Sequence, residues 1–397
     1  MDNRTKLFTN AAIWFGVAIS VSEIEAGIQI ASASTLSSLL FPLVLGHILG
    51  GILLFFVGLI GARLQMNAMQ TTKTAFGTYG SKFFAALNVL QLIAWIAVLN
   101  AQGATAIIGL NLPISFAMTC IILAILIAIW VYVGLQRTSK VTTSVMVVLT
   151  LLLVALSAKL FLIGPAAALP TSEGLKNTLS FWNIFEISIA MPISWLPVIS
   201  DYTKDGEKPV KATAVSAIAY TIASLWMYFI GVEIAGICAS NIAQAILLAG
   251  FGVPGVIIMV LSTVTTNFLA ANSAGESAKA IYGKLNPKIV GVAVSAMSAI
   301  IAISGIMDHY IGFLYLISSV FAPMAAVLLV SFYFDKKQEN RTWQWNLFAW
   351  FAGFAIYQIA GLFDSIILGP TLLAIIVSAS LAYSRVLMKR RTNPDNL

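Results

Sequence analysis

Apolar residues run through this chain in long blocks, separated by short segments that hold most of its charges. Twelve of the blocks are long enough to cross a membrane as a helix, which takes roughly 20 residues. They fall near residues 11–30, 39–62, 83–110, 114–134, 141–163, 181–200, 212–238, 253–272, 289–306, 310–334, 346–363 and 366–388. Two blocks depart from the pattern. Phe181 to Asp201 (FWNIFEISIAMPISWLPVISD) carries Glu186, Pro192 and Pro197. Each proline removes a backbone donor and clashes with the carbonyl one turn earlier, so a helix here must kink or break. Its counterpart, Ala11 to Ile30, is interrupted by Ser20, Ser22, Glu23 and Glu25. Irregular backbone survives at membrane depth only where protein or a water-filled cavity surrounds it. Both helices are therefore predicted to line a cavity, and two interrupted spans in corresponding halves point to a transporter's binding site.

The pattern restarts at Phe181. Five spans over residues 11–164 precede a link, Gly164 to Ser180, that contains Pro165, Pro170, Glu173 and Lys176. Five more spans follow over 181–334, and two are appended over 346–388 after the charged loop Asp335 to Arg341. An odd number of helices makes the second half enter the membrane from the opposite side, which predicts an inverted repeat. Arg63 to Lys82 is a long connection expected to hold a short surface helix. Gly46, Gly50, Gly51, Gly58 and Gly61 in the second span are expected to serve close helix packing. His47 on the same helix is expected to be a hydrogen-bonded packing residue, with a proton relay as the alternative.

Composition agrees: 59% of residues are hydrophobic and 9% charged, against about 25% charged in soluble domains. The net charge of +7 raises the possibility of a nucleic-acid partner, and the placement of the basic residues removes it. With the N-terminus in the cytoplasm, all of the 22 Lys and Arg except Lys159 and Lys176 fall on the cytoplasmic side. That asymmetry is the positive-inside signal, and it predicts a multi-pass protein of the inner, cytoplasmic membrane with both termini inside. Cys120 and Cys238 both lie within predicted spans, so no disulfide framework is expected. No cleavable leader is read before the first span. Two histidines, two cysteines and no nucleophile or metal-ligand spacing leave little chemistry for an enzyme.

The candidate chemistry is concentrated in three places. Gln91 and Trp95 are four apart and share one helical face, which presents an amide beside an aromatic plate, a combination suited to a flat heterocycle. An interfacial tryptophan is the structural alternative. In the eighth span, Ser262, Thr263, Thr265, Thr266 and Asn267 crowd into LSTVTTNFLAANSAGES, with Ser262, Thr265 and Thr266 on one face. Such hydroxyls, with free carbonyls from a broken helix, are hard ligands for a small cation, or else glue between helices. Glu23 and Glu186 are the deepest acidic residues. Each costs at least ~2.5–3.5 kcal/mol at mid-bilayer and so needs a cavity or a partner. Glu25 and Glu233 sit nearer the surface and are weaker candidates.

With these residues in place, the order of WFGVAISVSEI, LNVLQLIAW, AMPISWLPVISDYTK, STVTTNFLAANSAG and LYLISSVFAP resembles the nucleobase–cation symporters that include cytosine permease. Within that family the likeness is greatest to bacterial hydroxymethylpyrimidine transporters, which import a thiamine precursor. The resemblance implies an all-α integral membrane protein of the leucine-transporter fold, a five-plus-five inverted repeat with about 12 transmembrane helices. It implies a sodium site of the Val17 and Ser20 carbonyls facing Thr265 and Thr266, with Ser262 close by. It also implies a substrate site with Trp95 as the aromatic plate and Gln91 one turn away, completed by Pro192, Ser194 and Trp195 on the broken sixth span. The family's second aromatic falls near Pro192, where this chain has none, and Trp195 is the expected substitute. Glu23 and Glu186 depart from cytosine permease and are expected to accept from a ligand's exocyclic amine. The expected function is sodium-coupled import of a small pyrimidine, foremost hydroxymethylpyrimidine. The alternatives are cytosine or another nucleobase, and a proton as the coupling ion. No cofactor other than sodium is expected.

Overall fold

The computed structural model describes residues 5–109, 113–133, 135–163, 179–236, 244, 246–247, 250–335, 343–363 and 368–392. Within the described residues, every predicted block is mainly helical. In chain order these are α1 (Leu7–Ala18), α2 (Val21–Ser32), α3 (Leu36–Leu64), α4 (Ala68–Thr71), α5 (Lys73–Ile108), α6 (Phe116–Val133), α7 (Leu135–Ile163) and α8 (Phe181–Ser194). There follow α9 (Ile199–Thr203), α10 (Pro209–Gly236), α11 (Gly252–Ile281), α12 (Pro287–Ile303), α13 (Tyr310–Phe334), α14 (Trp343–Ala360) and α15 (Pro370–Thr392). Among the described residues, 7 helices are long and apolar enough to cross a membrane, and the bent pair α1 and α2 makes an eighth. The other predicted spans correspond to α7, to α12, to α14 and to the broken pair α8 and α9. The predicted link and the loop before α14 lie outside the described residues at 164–178 and 336–342, as does Cys238.

Both predicted interruptions are present. The first span bends by 48° between Ala18 and Val21. Ser20 takes extended backbone (φ −133°, ψ 152°), and its hydroxyl accepts from the Glu23 amide, so it caps the restarted helix. In the second case α8 continues through Pro192 and stops only after Ser194. The break covers residues 195–198, with Pro197 inside it, and α9 resumes at Ile199. Pro197 supplies the stop that Pro192 alone does not.

Two packed groups flank these breaks. The pair α1 and α2 packs with α3, with the pair α8 and α9, and with α10; α5, α6, α11 and α12 form the second group. α13 lies against α8 and α5, and the appended α14 and α15 pack on each other and on α13. The α3 glycines do the packing expected of them. A Cβ on Gly50 would stand 2.1 Å from Cγ of Pro192, so only glycine lets α8 approach this closely. Gly46, Gly58 and Gly61 meet Ser188, Ile199 and Ser200 in the same way, so one stripe of α3 seats both halves of the broken sixth span. The expected surface helix is instead the buried α4, whose Ala68, Met69 and Thr71 are covered. α5 then kinks at Gly77, where φ is 63°, a conformation natural to glycine.

The outward faces are apolar. Ile125, Ile129, Leu151, Ile222 and Phe351 are each more than half exposed, as lipid-facing side chains are. Hydroxyls and amides collect inside, around the two breaks.

Candidate functional site

A broken helix leaves carbonyls without their usual partners. At the α8–α9 break, α5 supplies the missing donors. Gln91 Nε2 donates to the Ser194 carbonyl at 3.0 Å and to Asn88 Oδ1 at 2.7 Å. Asn88 Nδ2 donates to the Pro197 carbonyl at 3.2 Å and to Ser277 Oγ at 2.8 Å. The Gln91 amide is thereby fixed with its nitrogen spent, and its Oε1 is buried with no partner. One turn along the same face, Trp95 is 8% exposed. Its Nε1 is also buried with no partner. Neighbouring rings meet Trp95 at steep angles, Phe313 at 5.3 Å and 66° and Tyr310 at 6.3 Å and 76°, so neither stacks on it. One helical turn apart on α5, an acceptor and a donor are thus without protein partners, although buried polar groups are nearly always satisfied.

The other break is met by α11. Ser262 Oγ donates to the Ile19 carbonyl at 3.2 Å, joining the hydroxyl cluster to the gap in the first span. Thr265 and Thr266 are both 3% exposed. Thr265 bonds back to the Ser262 carbonyl at 2.9 Å, and Thr263 Oγ1 and Asn267 Oδ1 are buried without partners. Val17, at the end of α1, is buried, and Ser20 is half-buried in the gap. Among the described residues no group of three or more His, Cys, Asp or Glu comes together. The donors gathered here are oxygens of hydroxyls and carbonyls, which suit a hard cation.

Two closures flank the breaks. On one side Ser22 Oγ donates to Gln102 Oε1 at 2.7 Å, and the Tyr310 hydroxyl donates to the Ser22 carbonyl at 2.8 Å. On the other, Tyr202 donates to the Leu269 carbonyl at 3.2 Å. The second closure rests on an aromatic cluster in which Trp14 meets Trp195 at 5.8 Å and both Tyr202 and Tyr220 at 6.0 Å, all edge-on.

Five of the expected substrate residues have protein partners in this structure. Glu186 is held by the appended helices: its Oε1 accepts from the Thr371 amide at 2.9 Å, and its Oε2 from the Thr371 and Tyr357 hydroxyls. Glu23 accepts from the Tyr220 hydroxyl at 2.9 Å and from Ser224 Oγ at 2.7 Å, so both its oxygens are turned into its own helix group. Pro192 is seated against Gly50, and the Ser194 hydroxyl is tied to the Met191 carbonyl at 2.6 Å, leaving Ser194 present through its carbonyl alone. Trp195 stands in the aromatic cluster beside Trp14. Asn88, three residues before Gln91 inside LNVLQLIAW, was the signal available in sequence for the amide clamp. Trp14 and Ser224 carried no such mark.

Residues 2–345 match the family described as permease for cytosine/purines, uracil, thiamine, allantoin. The cytosine permease of Escherichia coli O157:H7 is 22% identical over 305 residues, covering 74% of this chain and 70% of that protein. Among solved structures, the inward-facing conformation of Mhp1 superposes with a TM-score of 0.79 at 18% identity, over 98% of this chain and 92% of that one. Mhp1 closed around bromovinylhydantoin, described as a nucleobase-cation-symport-1 family transporter, gives 0.74 at 18% identity over 98% and 94%. A substrate-bound, outward-open Na+-coupled sialic acid symporter gives 0.71 at 13% identity over 98% and 91%. The fold is the all-α leucine-transporter type that the sequence led one to expect.

Proposed function

The chain belongs to the family of permeases for cytosine/purines, uracil, thiamine and allantoin, and from that premise we propose that it imports a small aminopyrimidine, foremost hydroxymethylpyrimidine, with sodium as the coupling ion. It is a multi-pass membrane transporter rather than an enzyme, and the proposal concerns its cargo, its ion and its orientation. The observation that carries the reading is the unpartnered pair of Gln91 Oε1 and Trp95 Nε1. A 4-aminopyrimidine presents an exocyclic N–H beside a ring nitrogen, so it offers a donor to Gln91 and an acceptor to Trp95 at adjacent positions. Hydroxymethylpyrimidine and cytosine both carry that edge. In this reading the heterocycle meets the edge of Trp95 in the plane of its Nε1–H, and the Ser194 carbonyl bounds the site on the α8–α9 side.

Sodium is assigned to the gap in the first span. The Val17 and Ser20 carbonyls and the Ser262, Thr265 and Thr266 hydroxyls supply oxygens of the kind a hard cation takes, and the Ser262 to Ile19 contact supports their convergence. The Na+ coupling of the sialic acid symporter with this fold supports the same assignment. Glu186 is left out of the substrate set. The segregation of basic residues supports an inner-membrane orientation with both termini cytoplasmic and the inverted repeats over 11–164 and 181–334.

The test is one titration set on purified protein, with hydroxymethylpyrimidine and cytosine, each with and without sodium. Tighter hydroxymethylpyrimidine binding in sodium is the expected result. Preference for cytosine replaces the cargo and keeps the site, whereas affinity indifferent to sodium removes the ion assignment.

A further inference from the structure

The stretch SDYTK, residues 200–204, contributes to the family likeness, yet neither the substrate site nor the sodium site uses its side chains. Residues 200–203 lie in α9, the short helix that follows the break in the sixth span. Each side chain there is bonded to another helix. Ser200 Oγ donates to the Val57 carbonyl at 3.4 Å and Thr203 Oγ1 to the Gly58 carbonyl at 3.0 Å, both on α3. Tyr202 donates to the Leu269 carbonyl of α11 at 3.2 Å. Asp201 reaches α4, where its Oδ1 accepts from the Ala68 amide at 2.8 Å.

These bonds divide according to the packed group they reach. Gly58 and Gly61 of α3 seat Ile199 and Ser200, so Ser200 and Thr203 fasten α9 within its own group. α4 belongs with α5. The two are joined through the single residue Thr72, they pack on each other, and Ser81 Oγ of α5 donates to the Met69 carbonyl at 2.7 Å. Asp201 therefore crosses from one packed group to the other. Inside α4, Asn67 Oδ1 takes the Gln70 amide at 2.8 Å and Gln70 Oε1 takes the Asn67 amide at 3.2 Å. The Ala68 amide is left to an acceptor from elsewhere, as a buried backbone donor requires, and Asp201 supplies it from 133 residues away.

We propose that the contact between Asp201 and the Ala68 amide is a latch on the α9 side of the carrier, made while the two groups lie together and released when they part. Contacts that differ between two states set the populations of those states. Ser200 and Thr203 are 0% exposed and bond within one group, so they carry α9 along with α3. Asp201 is suited to let go. Its Oδ2 is buried with no partner, so parting of the groups costs the bond to Ala68 but admits water to the unbonded oxygen. The loss of one and the hydration of the other offset. Tyr202 crosses to α11 beside it and shares the closure, so loss of Asp201 shifts the balance without abolishing the closed state. The inference needs no assignment of cargo or ion, and its test uses neither.

The test is a distance measurement by pulsed electron paramagnetic resonance on the full-length protein in lipid. Spin labels on Lys208→Cys, in the connection after α9, and on Lys284→Cys, in the connection after α11, report the separation of the two groups. Both positions are exposed, and Cys120→Ala with Cys238→Ala removes the native thiols. In this labelled parent, Asp201→Ala is expected to raise the ratio of longer to shorter separations by roughly tenfold, the weight of one hydrogen bond. Ala68→Pro deletes the donor and leaves Asp201 in place, at a first helical position that proline favours. It is expected to reproduce the shift, which answers the question if Asp201→Ala does not fold. Asp201→Asn keeps an acceptor for the amide and is expected to stay within about twofold of the parent. Thr203→Val removes a bond inside one group and is expected to lower the unfolding midpoint with the ratio unchanged. A parental ratio in either Asp201→Ala or Ala68→Pro overturns the proposal. So does an Asp201→Asn ratio equal to that of Asp201→Ala, or an equal shift in Thr203→Val, which would make loosened packing the cause.

Discussion

Glu186 on α8 accepts from both the backbone amide and the hydroxyl of Thr371, in the first turn of α15. A carboxylate at a helix N-terminus satisfies orphan N–H groups and meets the positive end of the helix dipole. It therefore tethers the appended helices to the broken sixth span. Hydrogen bonds to a charged group are each worth about 1.5–3 kcal/mol. Glu186→Ala is expected to lower the unfolding midpoint in detergent by several degrees while changing the pyrimidine Kd less than twofold. A large loss of affinity at an unchanged midpoint would return Glu186 to the substrate site.

The difference between what the sequence revealed and what it hid follows from distance along the chain. Gln91 and Trp95 share a face because they are one turn apart, and the hydroxyls of α11 fall together for the same reason, so local periodicity located both. The two gaps were legible because serine, glutamate and proline interrupt otherwise apolar blocks. The partners of Glu23 and Glu186 lie 197 to 201 and 171 to 185 residues away. Helical spacing does not report which neighbour such a carboxylate will face. Hydrophobicity alone marked them as needing partners, and the structure supplies protein hydroxyls in that role.

Trp95→Phe keeps an aromatic plate and deletes the unpartnered Nε1–H. If that group meets a ring nitrogen, the loss is one hydrogen bond of about 1.4 kcal/mol, or roughly tenfold in Kd. Trp95→Ala removes the plate as well and is expected to weaken binding by a further tenfold or more. Titration calorimetry of both variants separates the two contributions. Equal affinities for Trp95→Phe and wild type would leave the indole nitrogen outside recognition.

Ser262→Ala and Thr266→Ala each withdraw one hydroxyl from the proposed sodium site. Both are expected to raise the sodium concentration for half-maximal uptake by about tenfold, with the ranking of hydroxymethylpyrimidine over cytosine unchanged. Uptake into proteoliposomes at graded sodium gives the answer directly. A variant with the wild-type sodium response does not hold the ion.

Gly50→Ala places a methyl group 2.1 Å from Pro192 Cγ, against a ring that cannot rotate away. Overpacking of this kind costs typically 1–3 kcal/mol, and here the strain falls on the helix that leads into the α8–α9 break. The midpoint of thermal unfolding is expected to drop. Chain expression with full stability would show that α8 slides along α3 at little cost.

Asn88 carries the last prediction because it separates positioning from contact. Its Oδ1 accepts from Gln91, and its Nδ2 holds both the Pro197 carbonyl and Ser277 Oγ. Asn88→Ala leaves every atom of the unpartnered Gln91–Trp95 pair in place but removes the group that fixes the Gln91 amide and one donor to the break. Gln91 then samples orientations in which Oε1 no longer faces the site, so the competent fraction falls and apparent Kd rises in proportion. A tenfold weakening corresponds to about 1.4 kcal/mol, the scale of one hydrogen bond. Gln91→Ala in the same background should then add little, because the amide it removes has already lost its orientation. Additive losses in the double variant would mean that the two residues act independently and that Asn88 serves the helix break alone.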